Sequence, residues 1–127
     1  MNYTIAKNCI RNNNKEMFRT VYEQVNEDIT SDIIRYVVRG KYLQKDTHKL
    51  NLQDQISFIS IVCNKLQAPE KSWILKEVIS NAIEVEDFEI FKHFVQQEKD
   101  LVSEHSLLRI SKKNLQKWFD IIFVPTN

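Results

Sequence analysis

The stretch SNAIEVEDFEIFKHFVQQ, residues 80–97, contains the end of one predicted helix, a polar turn and the start of the next helix. Four apolar residues of the second helix recur at i, i+3, i+6 and i+7: Phe88, Phe91, Phe94 and Val95. This spacing places them on one face of a helix. Acidic residues in a first turn meet the positive end of the helix dipole, as Glu86, Asp87 and Glu89 do here. The stretch therefore predicts two helices joined by a short turn.

The composition extends this prediction to the whole chain. Its 127 residues are 43% hydrophobic and include one Gly and two Pro. Many tight β-hairpins need glycines at positive φ, so an all-β fold is disfavoured. A glycine-rich phosphate loop is excluded, because the chain does not contain two glycines. We expect a single all-α domain over 1–127, of seven to eight short helices. We expect these helices to form either a compact bundle or an irregular array. Helical-hairpin repeats are one form that the arrangement could take.

Further along the chain, local signals predict where helices begin and end. TSDIIRYVVRG, residues 30–40, predicts a helix that ends at Gly40 in the left-handed conformation. The pattern then lapses, which predicts an irregular connection near 41–50. Asn51 is predicted to cap the next helix, which is apolar around most of its circumference and is expected at the centre of the core. Ser111 is predicted to cap the last helix.

Three segments share a pattern of a small or apolar residue, a polar turn and an apolar doublet. They are CIRNNNKEMFRTVY from Cys9, AIEVEDFEIFKHFV from Ala82 and, more loosely, RISKKNLQKWFDII from Arg109. The pattern resembles the inner-helix, turn, outer-helix order of ankyrin-like repeats over about a third of the chain. The TPLH motif and the turn glycine of that family are missing. The segment starts lie 73 and 27 residues apart, which is not a single period.

Charge and cysteine content restrict the partners and the compartment. Eighteen basic and 17 acidic side chains give a formal charge of +1, which predicts no general attraction to nucleic acid. Cys9 and Cys63 form no C-x-x-C pair and are predicted to be part-buried thiols in a reducing compartment. The N-terminal sequence lacks the apolar run of a signal peptide, and no stretch approaches 18 apolar residues. We therefore expect a cytoplasmic protein with no membrane contact.

The sequence contains no recognisable catalytic set. Glu89 and His93 have the i, i+4 spacing of two metal ligands, but further ligands and a second shell are missing nearby. His105 precedes Ser106, yet no nucleophile elbow surrounds this serine. His48 lies in the predicted connection. We therefore predict no enzyme activity, no metal site and no cofactor.

A DNA-binding regulator is the alternative function. The segment 103–123 resembles the second half of a helix-turn-helix, with five polar residues able to face a groove: Lys112, Lys113, Asn114, Gln116 and Lys117. A second basic group surrounds the predicted connection: Arg35, Arg39, Lys41, Lys45 and Lys49. A solvated amphipathic helix would show the same pattern.

A protein-binding module is the preferred interpretation. Tyr42 and Trp73 are candidate anchors, since aromatic residues near a surface dominate binding energies. The acidic residues that could meet a basic partner are Glu84, Glu86, Asp87 and Glu89. In size, helical character and lack of a catalytic set, the chain is similar to immunity and inhibitor proteins of bacterial toxin systems. That similarity implies a bacterial or phage protein that occludes one protein partner, such as a toxin, as a monomer or weak dimer.

Overall fold

The computed structural model describes residues 2–25 and 28–124. These residues form eight α-helices and two single 3₁₀ turns, Gly40–Tyr42 and Lys99–Leu101, with no strand among them. The helices are α1 (Asn2–Arg11), α2 (Lys15–Gln24), α3 (Thr30–Arg39), α4 (Leu52–Asn64), α5 (Glu70–Val85), α6 (Phe88–Gln97), α7 (Glu104–Lys112) and α8 (Gln116–Phe123). The predicted all-α fold is confirmed.

The helices are arranged as four hairpins in two layers. Each odd-numbered helix packs against the even-numbered helix that follows it. The odd-numbered helices also pack side by side in the order α1, α3, α5 and α7. The even-numbered helices do the same in the order α2, α4, α6 and α8. Because each hairpin contacts mainly its neighbours in sequence, the molecule is a short stack of helical hairpins.

Three hairpins turn through the same backbone geometry. The left-handed residue of each turn is Asn13, Glu86 or Asn114, with φ of 54°, 56° and 57°. The next residue donates its N–H to the carbonyl five positions earlier, as from Asp87 to Ala82 at 2.8 Å. This is the Schellman ending of a helix, which satisfies carbonyl groups that would otherwise lack partners. The repeated sequence pattern therefore corresponds to a repeated turn.

The second hairpin differs, and it explains the irregular spacing of the repeats. After the 3₁₀ turn Gly40–Tyr42 the chain follows an irregular path to Asn51, whose side chain caps α4 by accepting from the Asp54 N–H. The 73 residues between Cys9 and Ala82 thus include a whole hairpin that lacks the tight turn. The repeated sequence pattern marks the tight turn, so it is absent from this hairpin.

The core lies mainly between α3 and α5. Their most buried apolar residues are Ile33, Ile34, Val37 and Val38 of α3, and Val78, Ile79, Ala82 and Ile83 of α5. α4 also contributes buried residues to the core, among them Phe58, Ile59 and Val62, but it is not buried around most of its circumference, because Ile56 and Ile61 are only half-buried. At the far end of the stack, Trp118 of α8 is buried, and the centres of the Trp118 and Phe91 rings lie 4.6 Å apart.

Gly40 does not adopt the predicted left-handed conformation. Its φ of −59° and ψ of −34° are helical, and the chain continues into the 3₁₀ turn. The residue must be small because an added Cβ would lie 2.4 Å from Cδ2 of His48. The ring of His48 is 2% exposed, and its Nε2 lies 3.0 and 2.9 Å from the carbonyl oxygens of Tyr36 and Val37. The buried ring of His48 therefore occupies the space that a side chain at position 40 would need.

The start of the last helix also differs from the prediction. Ser111 lies inside α7, while α8 begins after Leu115, which provides no side-chain cap. Ser103 caps α7 instead, since its Oγ accepts from the N–H of Ser106 at 3.1 Å.

In the described ranges 2–25 and 28–124, no helix has both the length and the apolar character needed to cross a membrane.

Candidate functional site

Trp73 lies on the first turn of α5 and is 57% exposed, which is unusual for so large an apolar side chain. It lines an open groove of about 460 Å³ between the starts of α3 and α5 and the end of α4. We call this the Trp73 groove. Its lining residues are Asp28, Thr30, Ser31, Leu66, Glu70, Trp73, Ile74 and Glu77.

Local helix geometry builds one wall of the Trp73 groove. Glu70, Trp73 and Glu77 are spaced i, i+3 and i+7 along α5, so their side chains share one face. Ser31 on α3 joins the opposite wall, since its Oγ lies 2.9 Å from both carboxylate oxygens of Glu77. Asp28 precedes α3, and its Oδ1 accepts from the N–H of Thr30 at 3.4 Å. The groove therefore depends on the packing of α3 beside α5.

The Trp73 groove is acidic. Three of its lining residues carry carboxylates, and none of the described lining residues is basic. No ion pair within the described part of the chain involves Asp28, Glu70 or Glu77. The groove thus presents a tryptophan face with negative charges around it.

Positive charge lies further along the same pair of helices. Arg39, at the end of α3, donates from Nε to Oδ1 of Asn81 on α5 at 2.6 Å. Burial lowers the pKa of the Arg39 guanidinium, and the charges of Arg35 and Arg109 lower it further. The surface formed by α3 and α5 is therefore acidic at the helix starts and basic toward the end of α3.

Two of the predicted binding residues, Tyr42 and Asp87, are hydrogen-bonded to each other, although Tyr42 itself is 49% exposed. The Tyr42 hydroxyl donates to Oδ2 of Asp87 at 2.8 Å, and Nζ of Lys41 lies 3.3 Å from the same oxygen. Asp87 is only 5% exposed, and its Oδ1 also accepts from the N–H of Ile90 as the cap of α6. Burial and the hydrogen bond to Asp87 raise the pKa of Tyr42. Asp87 therefore stabilises the fold and is not the exposed acid that the sequence predicts.

The remaining predicted acids lie at the other end of α5 from Trp73. Eleven residues separate Trp73 from Glu84, a distance of about 16 Å along a helix. Glu84 forms an ion pair with Arg109, and Oε2 of Glu86 lies 3.6 Å from Nζ of Lys113. Glu89 is exposed. The structure therefore does not bring Trp73 together with the acidic residues that are also predicted to bind the partner.

The residues predicted for DNA binding surround the turn between α7 and α8. Lys112, Asn114 and Gln116 are exposed. Lys113 is half-buried beside Glu86, and Nζ of Lys117 lies 4.3 Å from the ring centre of Phe88. Lys113 and Lys117 thus contact residues outside α7 and α8, and Nε2 of Gln116 donates to Oδ1 of Asp120 within α8 at 3.4 Å.

The sequence contained part of the signal for the Trp73 groove. The spacing of Glu70, Trp73 and Glu77 is visible in the sequence, although the acidic run at 84–89 is denser. Asp28 and Ser31 could not be assigned to the groove from the sequence. They reach it only because α3 packs beside α5.

Two further clefts contain chemically active side chains, and one of them, of about 540 Å³, is lined by Glu104, His105, Leu107 and Leu108 of α7. The other cleft, of about 390 Å³ between α4, α5 and α6, is lined in part by Cys63, Lys71 and Glu98. Burial raises the pKa of the Cys63 thiol, which outweighs the opposing effect of Lys71. Across residues 2–25 and 28–124, no three His, Cys, Asp or Glu side chains are grouped so that they could hold a metal ion.

Comparison with known proteins returned no match: no family model matches the sequence, and neither a curated protein nor a solved structure is significantly similar to the chain.

Proposed function

We propose that this chain is a protein-binding module that uses the Trp73 groove to hold one partner protein. The observation that carries the proposal is the 57% exposure of Trp73 at a groove rather than on a flat surface. An exposed tryptophan can bury a large apolar area against a partner, and tryptophan is enriched among residues that dominate interface energies. The walls of the groove belong to packed helices, so little conformational freedom is lost on binding.

The mode of action that we propose is occlusion, as in an inhibitor or immunity protein. A stack of hairpins offers a rigid surface, and a partner seated on α3 and α5 would have that part of its own surface covered. Occlusion needs no reaction at the interface. It requires only that the covered surface include the working site of the partner, which we propose to be a toxin or another enzyme.

Isolation of the partner from the native cells, followed by binding measurements with purified components, tests the proposal. We expect Trp73→Ala to weaken binding about tenfold or more, because it removes a central aromatic anchor. Phe123→Ala is the matched control, since Phe123 is an exposed aromatic residue at 61% on a different helix. A partner bound equally well by wild type and Trp73→Ala would contradict the proposal. The activity of the partner should fall in proportion to the complex formed.

A DNA-binding regulator remains the second candidate, favoured by the exposure of Lys112, Asn114 and Gln116 around a helix–turn–helix connection. If it is correct, the logarithm of the affinity for duplex DNA should fall linearly and steeply with the logarithm of salt concentration. Replacing Lys112, Lys113 and Lys117 should abolish that affinity. Duplex binding that persists in the triple variant would count against this candidate.

A further inference from the structure

The Trp73 groove has a charge that restricts what it can bind. Asp28, Glu70 and Glu77 contribute up to three negative charges. The N-termini of α3 and α5 oppose them, but each helix dipole is equivalent to only about half a positive charge. The carboxylates therefore dominate, and the groove remains negative by about two charges. An acidic or phosphorylated segment would be repelled.

Lys71 and Lys76 are adjacent in sequence to lining residues of α5, but neither side chain lines the groove. Two other nearby cations are engaged elsewhere. Lys65 precedes the lining residue Leu66, but its Nζ lies 4.5 Å from the ring centre of Tyr22 and donates to the Tyr22 carbonyl oxygen. Arg39 is bonded to Asn81 toward the other end of α3. Within the part of the chain that the structure describes, no cation lies against the face of Trp73. That face is thus open to a cation from outside.

We propose that the partner presents an arginine or lysine side chain to the Trp73 groove, with its cation stacked on the indole and paired with the surrounding carboxylates. This inference rests on the proposed function and adds the chemistry of the bound segment. Tryptophan is the best aromatic platform for a cation, and arginine can both stack and form bidentate bonds to a carboxylate. The positive charges of Arg35 and Arg39 restrict the partner's cation to the groove, because they would repel a cation that lay further along α3.

Nuclear magnetic resonance can test this with a peptide probe, because the two tryptophans give separate indole N–H signals. The probe is acetyl-(Ala-Arg)₃-amide. The control peptide replaces arginine with citrulline, which has nearly the same shape but no charge. We expect the arginine peptide to shift the Trp73 signal in a saturable manner and to leave the buried Trp118 signal in place. The citrulline peptide should shift neither signal.

A matched pair of variants tests the contribution of the carboxylates. Glu70 and Glu89 each lie in the first turn of a helix and are exposed, but only Glu70 lines the groove. We expect Glu70→Gln to weaken binding of the arginine peptide about threefold, the effect of one charge at a partly exposed site. Glu89→Gln should change it by less than a factor of 1.5. Thermal unfolding of both variants controls for folding.

The outcomes separate this inference from the proposed function. Equal shifts with the arginine and citrulline peptides, no shift at all, or equal losses in the two variants would overturn the cationic ligand. If binding of the isolated partner were still weakened by Trp73→Ala, the proposed function would stand without the cationic ligand. If partner binding did not depend on Trp73, the proposed function would fail whatever the peptides did.

Discussion

At the scale of single residues, the contact between Gly40 and His48 shows how one buried polar group shapes the backbone around it. The last carbonyls of a helix lack partners within it. Nε2 of His48 lies within hydrogen-bonding distance of two carbonyls in the last turn of α3, those of Tyr36 and Val37, and Nδ1 accepts from the N–H of Leu50 at 3.2 Å. The ring must therefore be neutral, with its proton on Nε2. This arrangement ties the irregular connection to α3.

Gly40→Ala tests the steric part of this contact. The added methyl group would lie 2.4 Å from a ring that its hydrogen bonds hold in place, so we expect the free energy of unfolding to fall by about 1–3 kcal/mol. The matched background is His48→Ala, in which the ring is absent. If Gly40→Ala costs as much there as in the wild type, the clash with His48 is not the reason for the glycine.

The pH dependence of stability tests the neutral state of His48. Burial lowers the pKa of His48 below its ordinary value of 6.5, so the unfolded chain binds a proton that the folded chain does not. The contribution of His48 is therefore complete above about pH 6.5 and is lost as the pH falls below it, at up to about 1.4 kcal/mol per pH unit.

Denaturant unfolding between pH 7 and pH 5 measures this effect, with His48→Gln as the comparison. The wild type should lose more stability over this interval than the variant. Equal losses in both proteins would mean that His48 takes up its proton without opposing folding.

At the scale of helices and turns, the three Schellman turns carry the internal repetition of the molecule. Their sequences have little in common, because the geometry requires only a residue that tolerates positive φ and apolar residues on either side. Asn13 and Asn114 suit this position, whereas Glu86 does not. The sequence could therefore predict the hairpins from apolar spacing. It could not reveal the shared left-handed residue, since a glutamate gives no such signal.

Replacing Glu86 with glycine should stabilise the protein. Glycine adopts positive φ without steric cost, so we expect the free energy of unfolding to rise by about 1 kcal/mol. Loss of the exposed contact with Lys113 should offset less than about 0.5 kcal/mol of this gain. The control is Lys76→Gly in the middle of α5, which should destabilise by about 1 kcal/mol. A loss of stability in Glu86→Gly would show that the turn geometry is misassigned.

At the scale of the whole molecule, the two-layer stack decides which side chains can act together. Composition and apolar spacing were sufficient to predict an all-helical protein, because both reflect local geometry. The site was harder to predict, because the acidic residues that cluster in the sequence are paired with residues distant in the sequence. Glu84 forms an ion pair with Arg109, and Asp87 forms an ion pair with Lys41 and accepts a hydrogen bond from Tyr42. The acids of the Trp73 groove have no such ion pair in the described part of the chain, and the groove forms only because α3 lies beside α5.

The central claim is that a partner binds at the Trp73 groove, and mapping the interface by amide chemical shifts tests it most directly. Labelled protein would be titrated with its isolated partner. We predict that the largest shifts occur at Ser31, Glu70, Trp73 and Glu77. Shifts confined instead to the turn between α7 and α8, at Lys112, Asn114 and Gln116, would contradict the claim.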